Sequence, residues 1–205
     1  MADTTNSDLS GTETQHTIHP LYVRVTHWIN ALAVLVMIGS GWQIYNASPL
    51  FAFTFPQSAL GGWLAGGLLW HFAAMWVLIV NGVVYLALGL ASGRFHKLLP
   101  IHLGAVIHDL IAAFTGRLNR DVGDYNAVQK LVYAAILLVG IVIVLSGLAI
   151  WKPVQLRELS LLFGGYDAAR YVHFVAMAVI VLFLIVHVIM ALLVPKALRA
   201  MIRGN

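Results

Sequence analysis

Four histidines lie inside stretches of sequence that are otherwise apolar, and theirs are the side chains best able to do chemistry there. They are His27, His71, His173 and His187. The last two belong to the apolar run Ala168 to Val194, which is long enough for a helix to cross a bilayer, since about 20 residues suffice. An imidazole in hydrocarbon needs partners for its nitrogens, so ionisable groups at such depths are rare and generally functional. We therefore expect these histidines to bind something.

The spacing of two of these histidines predicts ligands at two depths of the membrane. His173 and His187 are 14 residues apart, which is close to four helical turns and roughly 21 Å along the axis. Both side chains therefore lie on one face of one helix, at two levels.

The composition indicates a membrane protein. Of the 205 residues, 60% are hydrophobic and only 10% are charged, against roughly 25% charged residues in soluble domains. Four apolar runs, at about 22–45, 63–90, 128–151 and 168–194, predict an all-α transmembrane four-helix bundle. A short stretch at 101–115 predicts an interfacial helix between the second and third spans. Residues 1–17 are polar, and we expect a flexible tail before a membrane domain of residues 18–205.

Missing residue types exclude several kinds of redox site. The chain has no cysteine, which excludes iron–sulfur clusters and covalent c-type haem attachment. All eight acidic residues lie outside the predicted spans, which excludes a carboxylate-bridged di-iron bundle and the usual carboxylate proton relay. The net charge of +4 comes from residues that flank the spans, so it indicates topology and not nucleic-acid binding.

The distribution of basic residues predicts the orientation. With four spans, both termini and the connection between spans two and three share one side. That side holds Arg24, Arg94, Lys97, Arg117, Arg120, Lys130, Lys196, Arg199 and Arg203, against Lys152, Arg157 and Arg170 on the other. By the positive-inside rule, both termini are cytoplasmic.

Comparing depths pairs the histidines. His27 and His187 lie near the cytoplasmic ends of their spans, whereas His71 and His173 lie near the opposite ends. Two imidazoles at one depth of an apolar bundle are what a six-coordinate haem b needs. The sequence thus predicts two haem b groups, one near each surface, with these histidines as axial ligands to the iron. Taken on its own, His27 is better explained as an interfacial histidine that faces water, and only the pairing favours a ligand.

Other residues are weaker candidates for the same sites. Three glycines could admit a haem edge or simply allow close helix packing: Gly41, Gly140 and Gly147. Three polar residues could bind a quinone or a haem propionate, although each could also be a headgroup-level anchor: Arg24, Tyr85 and His108. No catalytic residue is predicted.

The sequence resembles the bacterial cytochrome b561 superfamily over about residues 18–203. The resemblance is carried by Arg24-x-x-His27-Trp28, Ser40-Gly41-Trp42, Trp70-His71-Phe72 and the pair His173 and His187. The superfamily includes the cytochrome b subunits of nickel–iron hydrogenase, formate dehydrogenase and thiosulfate reductase. The resemblance implies a di-haem electron carrier in the bacterial inner membrane. It also implies a link to quinone and a redox partner on the periplasmic face, either a molybdopterin enzyme, a hydrogenase or a cytochrome.

The predicted function is therefore electron transfer across the membrane between the quinone pool and a periplasmic partner. The sequence leaves open whether the chain acts as an oxidoreductase by itself or as a subunit of one. Two other hypotheses stay open at this point, a redox-inactive anchor for a soluble enzyme and a histidine-lined metal transporter. Reduced b-type optical bands distinguish the first hypothesis from both alternatives.

Overall fold

The computed structural model describes residues 20–57, 63–93, 102–115 and 127–204. Within these ranges the regular structure consists of helices, without a strand. The helices are α1 Leu21–Ala47, α2 Leu64–Ala91, α3 Leu103–Phe114, α4 Ala127–Trp151, α5 Arg157–Leu162, α6 Tyr166–Leu193 and α7 Pro195–Arg203. The predicted tail (residues 1–17) and the topology residues Arg94, Lys97, Arg117 and Arg120 lie outside the described residues.

Four of the helices, α1, α2, α4 and α6, are long and apolar enough to cross a membrane. Their exposed surface carries many large apolar side chains, among them Leu32, Leu69 and Leu182, as a lipid-facing bundle requires. The predicted all-α membrane bundle is confirmed, and the chain is a multi-pass membrane protein. The short helix between the second and third spans is also present, as α3.

Two helices were not predicted. The connection between α4 and α6 contains α5, which ends in a turn where Gly164 and Gly165 have φ of +88° and +99°, a region that favours glycine. The basic segment after α6 also forms a helix, α7. Pro195 does end α6, but it also begins α7, because its fixed φ and missing N–H suit the first turn of a helix.

The spans pack as two antiparallel hairpins, α1 against α2 and α4 against α6. Small buried residues let the backbones approach: Ala33, Ser40, Gly67 and Ala74 in the first hairpin, and Ser146, Ala149, Ala169 and Ala176 in the second. In lipid there is no hydrophobic driving force for helices to associate. Close approach through small residues therefore supplies the van der Waals contacts that hold them together.

The two hairpins leave a space between them in the membrane. In the part of the chain that the structure describes, closely packed helix pairs lie within a hairpin or involve one of the short helices. The ends of the hairpins are joined by side chains instead. At one end, Tyr45 and Phe51 contact the ring of Phe174 at centroid distances of 5.0 and 5.3 Å, and Arg170 donates to the carbonyl of Ser48.

At the opposite end, the start of α1 is joined to α7. The guanidinium of Arg24 donates to the carbonyl of Ile202 at 3.1 Å, and the indole of Trp28 donates to that of Met201 at 3.4 Å. The space between the hairpins is therefore bounded at both ends.

Candidate functional site: two histidine pairs

The four intramembrane histidines meet in two pairs across the space between the hairpins. The ring centroids of His27 in α1 and His187 in α6 are 6.0 Å apart. Those of His71 in α2 and His173 in α6 are 6.4 Å apart. Helix α6 thus contributes one imidazole at each level, because its two histidines share a face. The pairs are those expected from the sequence, and their role as metal ligands stays a prediction.

The separation of the rings suits one metal ion in each pair. Two imidazoles on opposite sides of a metal ion, with metal–nitrogen bonds of about 2.0 Å, have ring centroids roughly 6 Å apart. Nowhere in the described ranges do three or more His, Asp or Glu side chains come together as metal ligands. Each pair therefore supplies two ligands, which is the number that a haem needs from the protein.

The second pair is held by hydrogen bonds to its Nδ1 atoms. Ser40 Oγ lies 3.0 Å from His71 Nδ1, and Ser146 Oγ lies 3.1 Å from His173 Nδ1. The carbonyl of Ile143 also lies 3.0 Å from His173 Nδ1. A carbonyl can only accept, so this nitrogen of His173 carries the proton. Its Nε2 is left with a lone pair, as iron ligation requires.

Two of the candidate glycines contact the imidazoles themselves. A Cβ at Gly147 would lie 3.1 Å from His173 Cε1, and one at Gly41 would lie 3.4 Å from His71 Cε1. For both glycines the contact with an imidazole is observed, whereas the role at a haem edge stays a prediction. A Cβ at Gly140 would meet no described atom within 4 Å, so this position faces open space.

Aromatic rings line the first pair. Trp28 stands edge-on to His27 at 5.4 Å, and Phe183 is stacked on His187 at 5.6 Å. These aromatic contacts help to fix the orientation of the two imidazoles.

A buried polar contact ties α1 to α2 near this level. The amide of Asn81 donates to the carbonyl of Thr26 at 2.8 Å and to the side chain of Asn30 at 2.7 Å. Asn81 thus joins two helices, as a polar side chain in a membrane helix often does.

The three polar candidates for quinone or propionate binding lie at different distances from the histidine pairs. Arg24 lies one turn before His27 and is held by α7. Tyr85 is half-buried in α2, four turns after His71. His108 is exposed on α3, where its Nδ1 lies 3.3 Å from Asp109, so the structure does not bring it to either pair.

Two buried nitrogen atoms lack a hydrogen-bond partner within the described residues, Arg24 Nε and Trp42 Nε1. Arg24 is one turn from His27, and Trp42 follows Gly41, which contacts His71. Each level thus has one unused donor, and buried donors normally find an acceptor. The carboxylates of a haem would supply one, so these residues fit the group that the histidines predict.

From the sequence, Ser40 and Trp42 were noted only as part of a motif that carries the family resemblance, and Ser146 was not noted, so none of the three was predicted as a site residue. A signal was nevertheless present, because the dipeptide Ser-Gly occurs at 40–41 and again at 146–147, in the first and third spans. These two copies, the ones that lie inside spans, each come before a span that carries a histidine.

A surface cavity of about 340 Å³ lies beside the start of α1. Its lining is Leu21, Arg24, Val25, Trp28, Ile29, Met201 and Ile202. It is mainly apolar, with the guanidinium of Arg24 as its charged group, and it lies one turn from His27.

Comparison with known proteins agrees with this architecture. The family described as prokaryotic cytochrome b561 matches residues 18–204. The chain is also similar to the putative protein-methionine-sulfoxide reductase subunit YedZ1 of Azospira oryzae. The two are 51% identical over 193 residues, which cover 93% of this chain and 98% of that protein. The family match implies binding of haem b and electron transfer in the membrane, and it favours an electron carrier over the inert anchor and the metal transporter. With its four spans and paired imidazoles, the chain belongs to the prokaryotic cytochrome b561 family.

Proposed function

We propose that this chain holds two haem b groups and transfers electrons between a membrane quinone and a redox enzyme at the periplasmic face. His27 and His187 would bind the inner haem iron, and His71 and His173 the outer one. The observation that carries this proposal is the separation of 6.0 and 6.4 Å between the ring centroids. Both distances leave room for one metal ion with an imidazole on each side.

Residues of the chain at both histidine pairs are suited to hold a haem. A haem b supplies one-electron ferric–ferrous chemistry when bound. His173 presents Nε2 because its Nδ1 donates to Ile143. Arg24 and Trp42 each offer a buried N–H that has no acceptor in the described structure, one at each level, and these suit propionates.

The cavity beside Arg24 is our proposed place of quinone exchange. It is apolar, it lies at the inner level one turn from His27, and its guanidinium offers hydrogen bonds to a quinone oxygen. A quinol that is oxidised there releases two electrons and two protons. Tyr85 lies at the same level by its distance from His71 and is a second candidate. The exposed His108, beside Asp109, is a candidate only for proton exchange at the surface.

The proposed partner is an oxidoreductase that reduces methionine sulfoxide in proteins, because the similar Azospira protein is described as a subunit of one. Reduction of a sulfoxide to a thioether consumes two electrons and two protons and forms water. The two electrons and two protons that one quinol releases therefore match those consumed in one turnover of such a partner.

The haem assignment is tested by optical spectra of the purified chain and of two histidine variants. We expect reduced b-type bands and about two haems per chain in the wild type. His173→Ala should lose one haem and keep the other, because only the outer pair is broken. His108→Ala is the matched control and should keep both, since it lies at neither pair. Retention of both haems in His173→Ala would contradict the assignment.

Quinone linkage is tested in the same preparation. Quinol added to the oxidised wild-type protein should produce the reduced b-type spectrum. The absence of any reduction by quinol would remove the quinone from the proposal and leave electron exchange between protein partners.

A further inference from the structure

The same local arrangement surrounds His71 and His173, although these histidines lie in different hairpins. Each Nδ1 lies 3.0–3.1 Å from a serine hydroxyl on the neighbouring helix of its own hairpin, Ser40 for His71 and Ser146 for His173. Each serine is followed by a glycine whose missing Cβ would contact the same ring. We call each Ser-Gly pair with its facing imidazole a cradle.

The serines are buried and oriented by their own helices. The hydroxyl of Ser40 donates to the carbonyl of Val36 at 2.6 Å, and that of Ser146 donates to the carbonyl of Val142 at 2.7 Å. Ser40 is 6% exposed and Ser146 is fully buried. A hydroxyl has one hydrogen. Since the helix carbonyl takes it, the serine oxygen presents a lone pair to the imidazole.

This orientation sets the protonation of the rings. A lone pair facing Nδ1 requires Nδ1 to carry the hydrogen, which leaves Nε2 as the nitrogen with the free lone pair. For His173 the carbonyl of Ile143 imposes the same state independently. For His71 the group that faces Nδ1 is the hydroxyl of Ser40.

Serine in a membrane helix commonly bonds to its own backbone and needs no further role. Two observations go beyond that explanation here. Both serines also contact an imidazole, and the two imidazoles face each other across one level. An arrangement of the same three parts, a serine, a glycine and an imidazole, on both sides of that level is not required by helix packing.

We infer that Ser40 and Ser146 are positioning residues that hold His71 and His173 as neutral, Nε2-presenting ligands of the outer haem. The inference rests on the proposed function, in which these imidazoles bind iron. A hydrogen bond from Nδ1 increases electron donation from Nε2 to the metal and fixes the ring orientation. Ligands that donate more strongly favour ferric over ferrous iron. The two serines therefore stabilise the ferric form of the outer haem and lower its reduction potential.

The test compares Ser40→Ala, Ser146→Ala and the double variant with wild type, in the full-length haem-loaded chain. The readouts are a potentiometric titration followed optically and the low-temperature EPR signals of each ferric haem. The outer haem is identified as the one lost in His173→Ala. In the double variant we expect the ferrous-to-ferric ratio of the outer haem, at fixed ambient potential, to rise about tenfold, the lower end of such effects. This corresponds to about 59 mV for a one-electron couple.

The hydroxyl is separated from side-chain volume by two further variants. Ser40→Thr keeps a hydroxyl and should retain the wild-type outer signals. Thr26→Val removes a buried hydroxyl of the same helix that makes similar backbone bonds, 2.7 Å to Tyr22 and 3.2 Å to Val23. It should leave the outer haem unchanged, because Thr26 lies beside the inner pair.

The outcomes distinguish this inference from the proposed function. If the double variant retains the wild-type potential and EPR signals of the outer haem, the inference is overturned, while loss of one haem in His173→Ala still supports the function. If Ser40→Thr shifts the outer haem as much as Ser40→Ala, the serine acts through packing and the inference is likewise overturned. Retention of both haems in His173→Ala would end the proposed function and the inference together.

Discussion

At the scale of single residues, His173 is held on three sides. Its Nδ1 contacts Ser146 and Ile143, the backbone of Gly147 lies against its Cε1 edge, and the ring of His71 faces it across the level. These contacts leave the imidazole little freedom to rotate. A ligand that is oriented before the metal binds loses less entropy on binding.

This predicts unequal effects of one added methyl group at the two cradle glycines. In Gly147→Ala the new Cβ would lie 3.1 Å from His173, so the ring must move by a few tenths of an ångström. In Gly41→Ala it would lie 3.4 Å from His71, an ordinary contact. We expect haem affinity at the outer pair to fall on the order of tenfold in Gly147→Ala and to stay near wild type in Gly41→Ala. Haem retention measured by optical titration checks this, and equal retention in both variants would contradict it.

At the scale of elements, α7 packs at the end of the molecule where His27 and His187 meet. Its last residue is followed by Gly204, which has φ +94° and whose N–H bonds to the carbonyl of Ala200, a left-handed helix end. The guanidinium of Arg24 donates to Ile202 in the final turn, where a positive charge also complements the helix dipole. Arg24 thus docks α7 onto α1 and is not simply an anchor to headgroups.

We therefore expect Gly204→Ala to release α7. A left-handed alanine is strained by about 1–2 kcal/mol, and its Cβ would lie 3.1 Å from the guanidinium of Arg24. Trypsin should then cleave faster after Lys196 and Arg199, which belong to α7. Gly104→Ala is the control, because a Cβ there meets no described atom within 4 Å. An unchanged rate of cleavage in Gly204→Ala would show that the docking of α7 does not depend on the left-handed conformation of Gly204.

At the scale of the whole molecule, the two hairpins enclose a space and are joined mainly at its ends. Aromatic contacts to Phe174 join one end, and the hydrogen bonds from Arg24 and Trp28 to α7 join the other. Haem groups bound by histidines from both hairpins would fill such a space. The cofactors would then be part of what holds the hairpins together.

The orientation of the whole molecule is a prediction from charge. Described basic residues of the proposed cytoplasmic side include Lys130, Lys196 and Arg199, against Lys152 and Arg157 on the other side. We expect a fluorescent protein fused to the C-terminus to fluoresce, because it folds in the cytoplasm. Alkaline phosphatase fused after residue 153 should be active, because that connection would lie in the periplasm. An inactive phosphatase together with a dark C-terminal fusion would reverse the orientation.

Hydropathy was sufficient to predict the spans, because their signal is local. The third span, expected at 128–151, is Ala127–Trp151, and the others also begin and end within a few residues of expectation. The short helices α5 and α7 were missed. They are too short for a hydropathy signal, and a proline does not by itself distinguish the end of one helix from the start of the next.

From the sequence by itself, the two levels and the composition of each histidine pair could be worked out. Helical rise and span direction convert residue numbers into depth, so no knowledge of packing was needed. Only the tertiary structure decided what surrounds each imidazole. The partners Ser40 and His71 are 31 residues apart, Ser146 and His173 are 27 apart, and Arg24 meets Ile202 across 178 residues. Such contacts depend on how each helix is rotated about its axis, and that rotation is set by packing between helices, which a periodic apolar pattern does not specify.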